Sequence, residues 1–378
     1  MKAISREWMT SIVITIILVA LIGIGFAVGR YTTVKTFDSQ IQGFSGAFTL
    51  ERILNDKKKS EISRVYHDGD SVSQKLNDIS WSVPNTLTPF VGNAPTPGRH
   101  GVAHINSMQF RSKSEIEIPK PGDTYRIFIT GGSTAYGSGA PSEDTTIAGY
   151  LSSILANKLS PSTNLKYEVF TMANPAWAST HERIVIENRL SELTPDLVIS
   201  FSGNNDVHWG KLGRNILWFR SYADEFFLNL IKEAYKLTGH QEIPEITEIS
   251  SEEVPPQLVA ERLLKNVKLS LFALSLSQKT IDYVYLLQPT LAVTGKKLTE
   301  REQESLKYQE YFKKSYAQID NLLGNMNANN FKYINLTDVF DNLDSQEDIF
   351  LDSYHFGDKG NEIIAENIFL QLKDIIVQ

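Results

Sequence analysis

The stretch RIFITGGSTAYGSG, residues 126–139, is the most informative part of the sequence for the fold. Its first five residues are rich in β-branched and aromatic side chains, which predicts a strand buried on both faces of a sheet. Two glycines and Ser133 follow at once. The turn could bind phosphate, form an ordinary connection, or present a nucleophile at the end of the strand.

Four more runs of this kind follow and alternate with helical patterns, which predicts a parallel sheet with helices on both sides. The five predicted strands are 126–130, 167–173, 197–202, 283–288 and 332–337. Two amphipathic helices are marked by apolar residues on one face, namely Ile147, Leu151, Ile154 and Leu155 in the first and Ile364, Ile368, Leu372 and Ile375 in the last.

The glycine-rich turn does not fit two common nucleotide-binding motifs. A P-loop needs a lysine near the start of the next helix, and no lysine lies between Arg126 and Lys158. A dinucleotide fingerprint has glycines that open a helix directly, whereas the next helical pattern here is predicted to begin only near Thr145. Ser133 is then either an ordinary loop serine or a nucleophile.

Two other segments place polar groups where such sheets bind ligands, at the carboxyl ends of the strands. Asn205, in SGNND after the third strand, can donate its amide N–H to an anion or merely cap the next helix. Asp352 and His355 are separated by two residues just before the last helix. One loop can present both, so that the carboxylate fixes the imidazole tautomer and the other ring nitrogen faces a hydroxyl. Alone, this pair would be interpreted as a helix cap and a surface histidine.

In this order, a strand-end serine, a G-x-N-D block and a D-x-x-H block before the last helix resemble the SGNH (GDSL-like) hydrolase family. The resemblance covers about residues 123–378. It implies that Ser133 is the nucleophile, that His355 and Asp352 are its base and acid, and that Asn205 donates to the oxyanion together with the backbone N–H of Ser133.

The sequence departs from the family pattern in two blocks. Gly132 and Thr134 stand where the nucleophile block usually has Asp and Leu, which leaves the chemistry unchanged. In MANPAWAS, residues 172–179, Ala176 takes the place of a glycine whose backbone N–H joins the oxyanion hole. Alanine keeps that N–H, but a positive φ at this position would cost about 1 kcal/mol.

The resemblance also implies a three-layer α/β/α sandwich with a five-stranded parallel sheet of flavodoxin-like order 2-1-3-4-5. The α/β-hydrolase fold shares the order Ser, Asp, His but requires G-x-S-x-G, and Ala135 occupies the last position. The segments INSMQFR (105–111) and LLQP (286–289) are also similar to membrane-linked members of the family. A helical insertion is expected at about 207–282, with helical stretches over 211–238 and 257–280, and it either shapes a substrate cleft or covers the sheet.

The N-terminus predicts a membrane anchor over residues 1–30. Residues 9–29 carry no charge and as a helix would span roughly 31 Å at ~1.5 Å per residue. A cleaved signal peptide is the alternative, but its apolar run is usually only ~7–15 residues long. A short N-terminus before a long domain favours a cytoplasmic N-terminus and an extracytoplasmic body. Residues 31–122 are expected to form a juxtamembrane stalk and then a proline-rich extended segment wrapped on that body.

Composition excludes several function classes. The net charge is −7 and no basic stripe is present, so nucleic acid is not expected as a partner. The chain has no cysteine, which excludes disulfides, thiolate metal sites and a cysteine nucleophile. The expected chemistry requires neither a cofactor nor a metal ion.

For function, the resemblance implies an extracytoplasmic serine esterase, periplasmic or at the cell surface. It would remove acyl groups, foremost O-acetyl, from a carbohydrate or cell-surface polysaccharide through an acyl-Ser133 intermediate. The expected partners are such an ester substrate and the membrane. Two alternatives stay open: an O-acyltransferase with the same three residues, and a non-catalytic, membrane-anchored polysaccharide-assembly protein.

Overall fold

The structure is a computed structural model. It describes residues 6–45, 48–213 and 252–377, together with 232, 234–236 and 239. The chain forms two units. Their ranges are Met1–Gly46 with Glu225–Ile246 for the first, and Ala47–Asp224 with Thr247–Gln378 for the second.

The first unit contains one long helix, α1 (Arg6–Ser45). Its part Trp8–Lys35 is long and apolar enough to cross a membrane, and a signal sequence near an N-terminus would pass the same test. The uncharged run 9–29 accounts for this, because its length as a helix matches the hydrocarbon thickness of a bilayer.

The second unit begins with short elements that form a small core of their own. The helices are α2 (Leu50–Ile53), α3 (Asp56–Glu61) and α4 (Gly69–Gln74), with a 3₁₀ turn at Ile62–Val65. Three antiparallel pairs are formed by β1 (Phe48–Thr49) with β2 (Ser80–Ser82), β3 (Asn85–Thr88) with β4 (Gly92–Pro95), and β5 (Gly98–His100) with β6 (Ala103–Ile105). Buried apolar residues of this part, Leu50 and Tyr66 among them, pack together with Leu351.

Residues 31–122 differ from the predicted stalk and wrap. They are helical up to Ser45, and from Ala47 onward the chain belongs to the same compact unit as the sheet. The unit therefore starts well before the predicted domain boundary at residue 123.

The core of the second unit is one five-stranded parallel sheet. Its strands are β7 (Thr124–Gly131), β8 (Lys166–Ala173), β9 (Leu197–Ser202), β10 (Asp282–Leu287) and β11 (Phe331–Asn335). They lie in the order β8-β7-β9-β10-β11, and each neighbouring pair is parallel. Counted along the sheet-forming strands, this is 2-1-3-4-5, so the predicted strand order is confirmed.

Helices cover both faces of the sheet, which confirms the predicted three layers. They are α5 (Ser133–Tyr136), α6 (Ile147–Lys158), α7 (Ser160–Thr163), α8 (Ser179–Val185), α9 (Asn204–Lys211), α10 (Pro256–Ser275), α11 (Glu300–Glu304), α12 (Gln309–Gly324) and α13 (Asp358–Ile376). Short 3₁₀ and π turns lie at Glu143–Thr145, Ile186–Leu190 and Ser191–Leu193. Alternate residues of a strand point to opposite faces. Accordingly, Ile127 and Ile129 pack with apolar residues of α6 and α13, and Phe128 lies in the cluster with those of α10 and α12.

Two local expectations need correction or qualification. A helix was expected only near Thr145, but α5 opens at Ser133, because Gly131 turns the chain sharply with a φ of 152°. Within the predicted insertion 207–282, the helical stretch predicted over 257–280 corresponds to α10. The one predicted over 211–238 lies mostly outside the described residues.

Candidate active site

Ser133 lies at a sharp turn between β7 and α5 that requires both preceding glycines. A Cβ on Gly131 would lie 2.3 Å from the carbonyl oxygen of Phe201, and one on Gly132 would lie 2.3 Å from Asn205 Nδ2. The strand therefore ends against its neighbour β9, and the chain enters α5 at once. Since Ser133 is the first residue of that helix, its N–H has no acceptor within the helix.

The loop before α13 brings the predicted acid and base to this serine. His355 Nε2 lies 2.6 Å from Ser133 Oγ. On the other side of the ring, His355 Nδ1 lies 2.9 Å from both carboxylate oxygens of Asp352. With the proton on Nδ1, the ring donates to the carboxylate and accepts from the serine hydroxyl, as a general base for that hydroxyl must. The structure thus places the three residues in one hydrogen-bonded chain.

The Asp352 carboxylate is held in its ionised form. Burial alone would raise its pKa, but the facing His355 imidazole and the backbone N–H groups of Tyr354 and His355 lower it to about 2. Those N–H groups donate to Asp352 Oδ1 at 2.8 and 3.0 Å. A permanent negative charge at this place stabilises the imidazolium that forms when His355 takes a proton.

The N-terminal part of the second unit covers the histidine. The Trp81 ring lies 4.3 Å from the His355 ring, centroid to centroid. The Trp81 backbone carbonyl accepts a hydrogen bond from Ser138 Oγ at 2.5 Å, and Tyr66 OH donates to the Gly139 carbonyl at 2.7 Å. The sequence YGSG at the end of the opening stretch is therefore the contact that holds Trp81 over the site.

The predicted oxyanion donors Ala176 and Asn205 lie in a turn after β8 and at the start of α9. Ala176 has a φ of 71°, so the positive φ considered in the sequence is present. Pro175 precedes it, and Trp177 N–H donates to the Asn174 carbonyl at 3.1 Å, as in a type II turn. Asn205 Nδ2 donates to the Trp177 carbonyl at 2.6 Å, which leaves its second amide hydrogen for a ligand.

These groups share one cleft of about 290 Å³ with an aromatic lining. Ser133, Ala176, Asn205 and His355 line it together with Phe48, Trp81, Ser82, Pro175, Asn204, His208, Trp209 and Tyr354. His208 Nδ1 lies 3.2 Å from Tyr354 OH. The helical spacing from Asn205 to His208 and Trp209 could have identified these two residues as neighbours. Nothing in the sequence pointed to Phe48 or Trp81, because both come from the segment predicted as a stalk and wrap.

Two buried carboxyl groups lie behind this cleft and were not singled out from the sequence. Asp206 accepts from both the N–H and the hydroxyl of Ser179, at 3.0 and 2.5 Å, and so fixes the start of α8 just after the Ala176 turn. Glu182 accepts from Ser202 Oγ at 2.5 Å. Burial raises the pKa of Asp206 to about 6 and that of Glu182 to about 7, against the opposing effect of these serine hydrogen bonds.

The raised pKa of Glu182 predicts a stability loss with rising pH. The folded protein keeps a proton that the unfolded chain releases between about pH 4.5 and 7, so this group lowers the free energy of unfolding as pH rises through that window. Glu182→Gln removes the titration. Relative to the unmodified protein, the variant should gain on the order of 3 kcal/mol between pH 4.5 and 7.

Urea denaturation of both proteins at several pH values from 4.5 to 8 measures this difference. Glu187→Gln, on the partly exposed end of the same helical segment, serves as a control. A difference between Glu182→Gln and the unmodified protein that does not vary with pH would contradict the prediction.

Comparisons with known proteins give likeness in fold at low identity. No protein-family model matches the sequence, and neither does any curated protein. A lipase from a goat rumen metagenome is 12% identical, with 65% of this chain and 96% of that one covered and a TM-score of 0.41. A catalytic mutant of an acetylxylan esterase from Geobacillus stearothermophilus is 12% identical, with 66% and 94% covered and a TM-score of 0.41. A GDSL-like lipase from Bacteroides ovatus is 13% identical, with 68% and 55% covered and a TM-score of 0.38. At such low identities and TM-scores, the chemistry of this chain has to be argued from its own side chains.

Proposed function

We propose that this chain is a serine hydrolase that acts on ester bonds through an acyl-Ser133 intermediate. The observation that carries the proposal is the continuous hydrogen-bonded chain from Asp352 through His355 to Ser133, at 2.9 and 2.6 Å. It lies at the carboxyl end of β7, an interior strand of the sheet, where open parallel sheets bind their ligands. A non-catalytic assembly protein would not require this alignment of a carboxylate, an imidazole and a hydroxyl.

In the first half of the reaction, His355 Nε2 takes the Ser133 proton while Ser133 Oγ forms a bond to the ester carbonyl carbon. The tetrahedral intermediate then breaks its bond to the leaving oxygen, and the His355 imidazolium returns the proton to that oxygen. In the second half, His355 takes a proton from water as the water oxygen bonds to the acyl carbon. The tetrahedral intermediate then breaks its bond to Ser133 Oγ, the His355 imidazolium returns the proton to that oxygen, and the acid leaves. A sugar hydroxyl in place of water would make the protein an acyltransferase.

The carbonyl oxygen becomes an oxyanion in both halves, and three donors are available to it. They are the backbone N–H of Ser133, the backbone N–H of Ala176 and the side-chain amide of Asn205. All three residues line the cleft. No acceptor for the Ala176 N–H is present among the residues that the structure describes. Donors that are fixed before the reaction stabilise the developing charge without reorganisation.

The cleft supports a short acyl group on a carbohydrate as the substrate. Its volume of about 290 Å³ is at the low end for small-molecule pockets, which suits an acetyl group and one sugar ring better than a long acyl chain. The aromatic lining offers flat apolar faces beside a few polar groups, the usual composition of a ligand site. With α1 as an anchor, we place the catalytic unit outside the cytoplasm, where a cell-surface polysaccharide would be its substrate.

Labelling with a fluorophosphonate probe tests the proposed nucleophile. The probe phosphonylates an activated serine, so the unmodified protein should be labelled and Ser133→Ala should not. Ser153→Ala, on the exposed surface of α6, serves as a matched control and should be labelled as the unmodified protein is. Labelling that persists in Ser133→Ala would rule out Ser133 as the nucleophile.

A series of p-nitrophenyl esters tests the size of the acyl group. The small cleft predicts a kcat/KM that is highest for acetate and falls by at least about tenfold for octanoate, because the longer chain does not fit without exposure to water. Equal or higher values for the long chain would argue for a lipid ester instead. Product analysis with a sugar acceptor present then separates hydrolysis from acyl transfer.

A further inference from the structure

A cluster of buried charges lies beneath the loop that carries Asp352 and His355. Its members are Lys296 (3% exposed), Arg301 (8%), Glu302 (0%) and Asp348 (1%). Three of them belong to α11 or the turn before it, and the fourth lies in the segment that leads into Asp352. None of them lines the catalytic cleft.

Glu302 connects α11 to that loop through both of its carboxylate oxygens. Oε1 accepts from the backbone N–H groups of Ile349 and Phe350, at 3.0 and 3.2 Å. Oε2 accepts from Lys296 Nζ at 2.7 Å and from the Thr299 N–H at 3.1 Å. One oxygen therefore holds the backbone of the loop, and the other holds the start of α11.

Arg301 holds the same stretch of backbone by its carbonyl groups. Its Nη2 donates to the Phe350 carbonyl, and its Nη1 lies 3.5 Å from the Leu351 carbonyl. Its Nε lies 3.1 Å from Asp348 Oδ2, which makes an ion pair. The loop then closes on itself, because the Leu351 N–H donates to the His355 carbonyl at 2.7 Å. The backbone just before Asp352 is thus fixed from both sides by one short helix.

The chemistry of this cluster points to a role in geometry. Taking several charges out of water is costly, and apolar residues of similar volume often stabilise a core as well or better. What apolar residues cannot do is satisfy the N–H groups of two consecutive loop residues. A buried carboxylate does so and sets the direction of the chain that follows.

We propose that Glu302 is a positioning residue for the reaction. By holding the backbone at Ile349 and Phe350, it keeps the Asp352 carboxylate and the His355 ring in line with Ser133. This inference rests on the proposed hydrolase function. Glu302 is remote in sequence from Ser133, Asp352 and His355, and it does not line the cleft.

Glu302→Gln tests the proposal. The amide has one acceptor oxygen where the carboxylate has two, so it cannot serve both the loop and Lys296. A displacement of about 1 Å in a catalytic group can cost about 10²-fold in rate. We expect kcat to fall about 10- to 100-fold with KM nearly unchanged, the fluorophosphonate labelling rate to fall by a similar factor, and the pH profile of kcat/KM to shift.

Glu168→Gln is the matched control. Glu168 Oε2 accepts from Arg126 Nε at 3.0 Å, and the Arg126 side chain is fully buried, but this pair lies near the amino ends of β7 and β8, away from the cleft. Both variants should lower the melting temperature, whereas only Glu302→Gln should lower kcat. All rates are compared at a temperature where circular dichroism shows each variant to be folded.

Unchanged kcat, labelling rate and pH profile in folded Glu302→Gln would overturn the proposal and leave Glu302 a purely structural residue. If Glu302→Gln does not fold, Lys296→Met/Glu302→Leu replaces it, because this double variant leaves no unpaired ammonium in the core and offers the Ile349 and Phe350 N–H groups no acceptor. It is expected to show the same loss of kcat. Failure of the proposed function looks different: Ser133→Ala would then match the unmodified protein in labelling and hydrolysis.

Discussion

Replacement of His355 by alanine should lower kcat by about 10⁶-fold, to the level of the residual activity given by binding and the oxyanion donors alone. Without the imidazole 2.6 Å from Ser133 Oγ, no hydrogen-bond partner that could take the serine proton remains among the residues that the structure describes. KM should change little, since the ring is largely buried and contributes to the chemical step more than to substrate binding.

Asp352→Asn belongs to the same prediction and should lower kcat by about 10⁴-fold. If the amide NH₂ faces His355 Nδ1, it favours the tautomer with the proton on Nε2, which cannot accept the serine proton. If the amide oxygen faces Nδ1, it carries no charge and stabilises the imidazolium less than the carboxylate does. The double variant should be no slower than His355→Ala alone, because the two residues act as one unit. Steady-state hydrolysis of p-nitrophenyl acetate measures all three. Losses that multiply in the double variant would show that the two residues act independently.

The sheet and the close approach of Ser133, Asp352 and His355 could be predicted because both rest on local patterns. Each strand is a short run of β-branched and aromatic residues, and each functional group follows such a run or precedes the last helix. Parallel strands bring their carboxyl ends to one edge, so the positions of Ser133 and Asn205 after their strands were enough to expect them together. The structure places them there, with Asn205 Nδ2 against Gly132.

The walls of the cleft could not be predicted, because they depend on contacts between distant parts of the chain. Trp81 covers His355 only because Ser138 and Gly139 bind the segment that carries it. In the sequence, Arg111 was noted only as the last residue of INSMQFR (105–111), a segment similar to membrane-linked members of the family. In the structure its Nη1 donates to the carbonyls of Tyr136 and Gly137, which fixes the end of α5 behind Ser133. Such contacts leave no periodic signal in the sequence.

The short helix α5 was missed for a related reason. Four residues are too few for a hydrophobic period to show, and four glycines lie within six residues of Ser133, two before it and two after it. Its existence follows from the packing of β7 against β9, which forces the turn at Gly131. The positive φ of Ala176 also depends on local packing, because it is set by the turn that Ala176 shares with Pro175.

Asn205→Ala should lower kcat by about 10²- to 10³-fold, the usual effect of removing one oxyanion donor. The amide hydrogen that does not bind the Trp177 carbonyl is lost with the side chain, and the negative oxygen of the tetrahedral intermediate then has two donors instead of three. KM for p-nitrophenyl acetate should change little, because a neutral ester carbonyl gains much less from that donor than the oxyanion does.

Asn205→Asp separates the donor from the shape of the side chain. The carboxylate fills nearly the same space but donates nothing and places a negative charge beside the developing oxyanion, so its kcat should be lower than that of Asn205→Ala. Asn188→Ala, an exposed residue on a surface helix turn, controls for the loss of an amide in general and should leave kcat unchanged. If Asn205→Asp instead matched the unmodified protein, Asn205 would not be an oxyanion donor, and the oxyanion would rest on the backbone N–H groups of Ser133 and Ala176 alone.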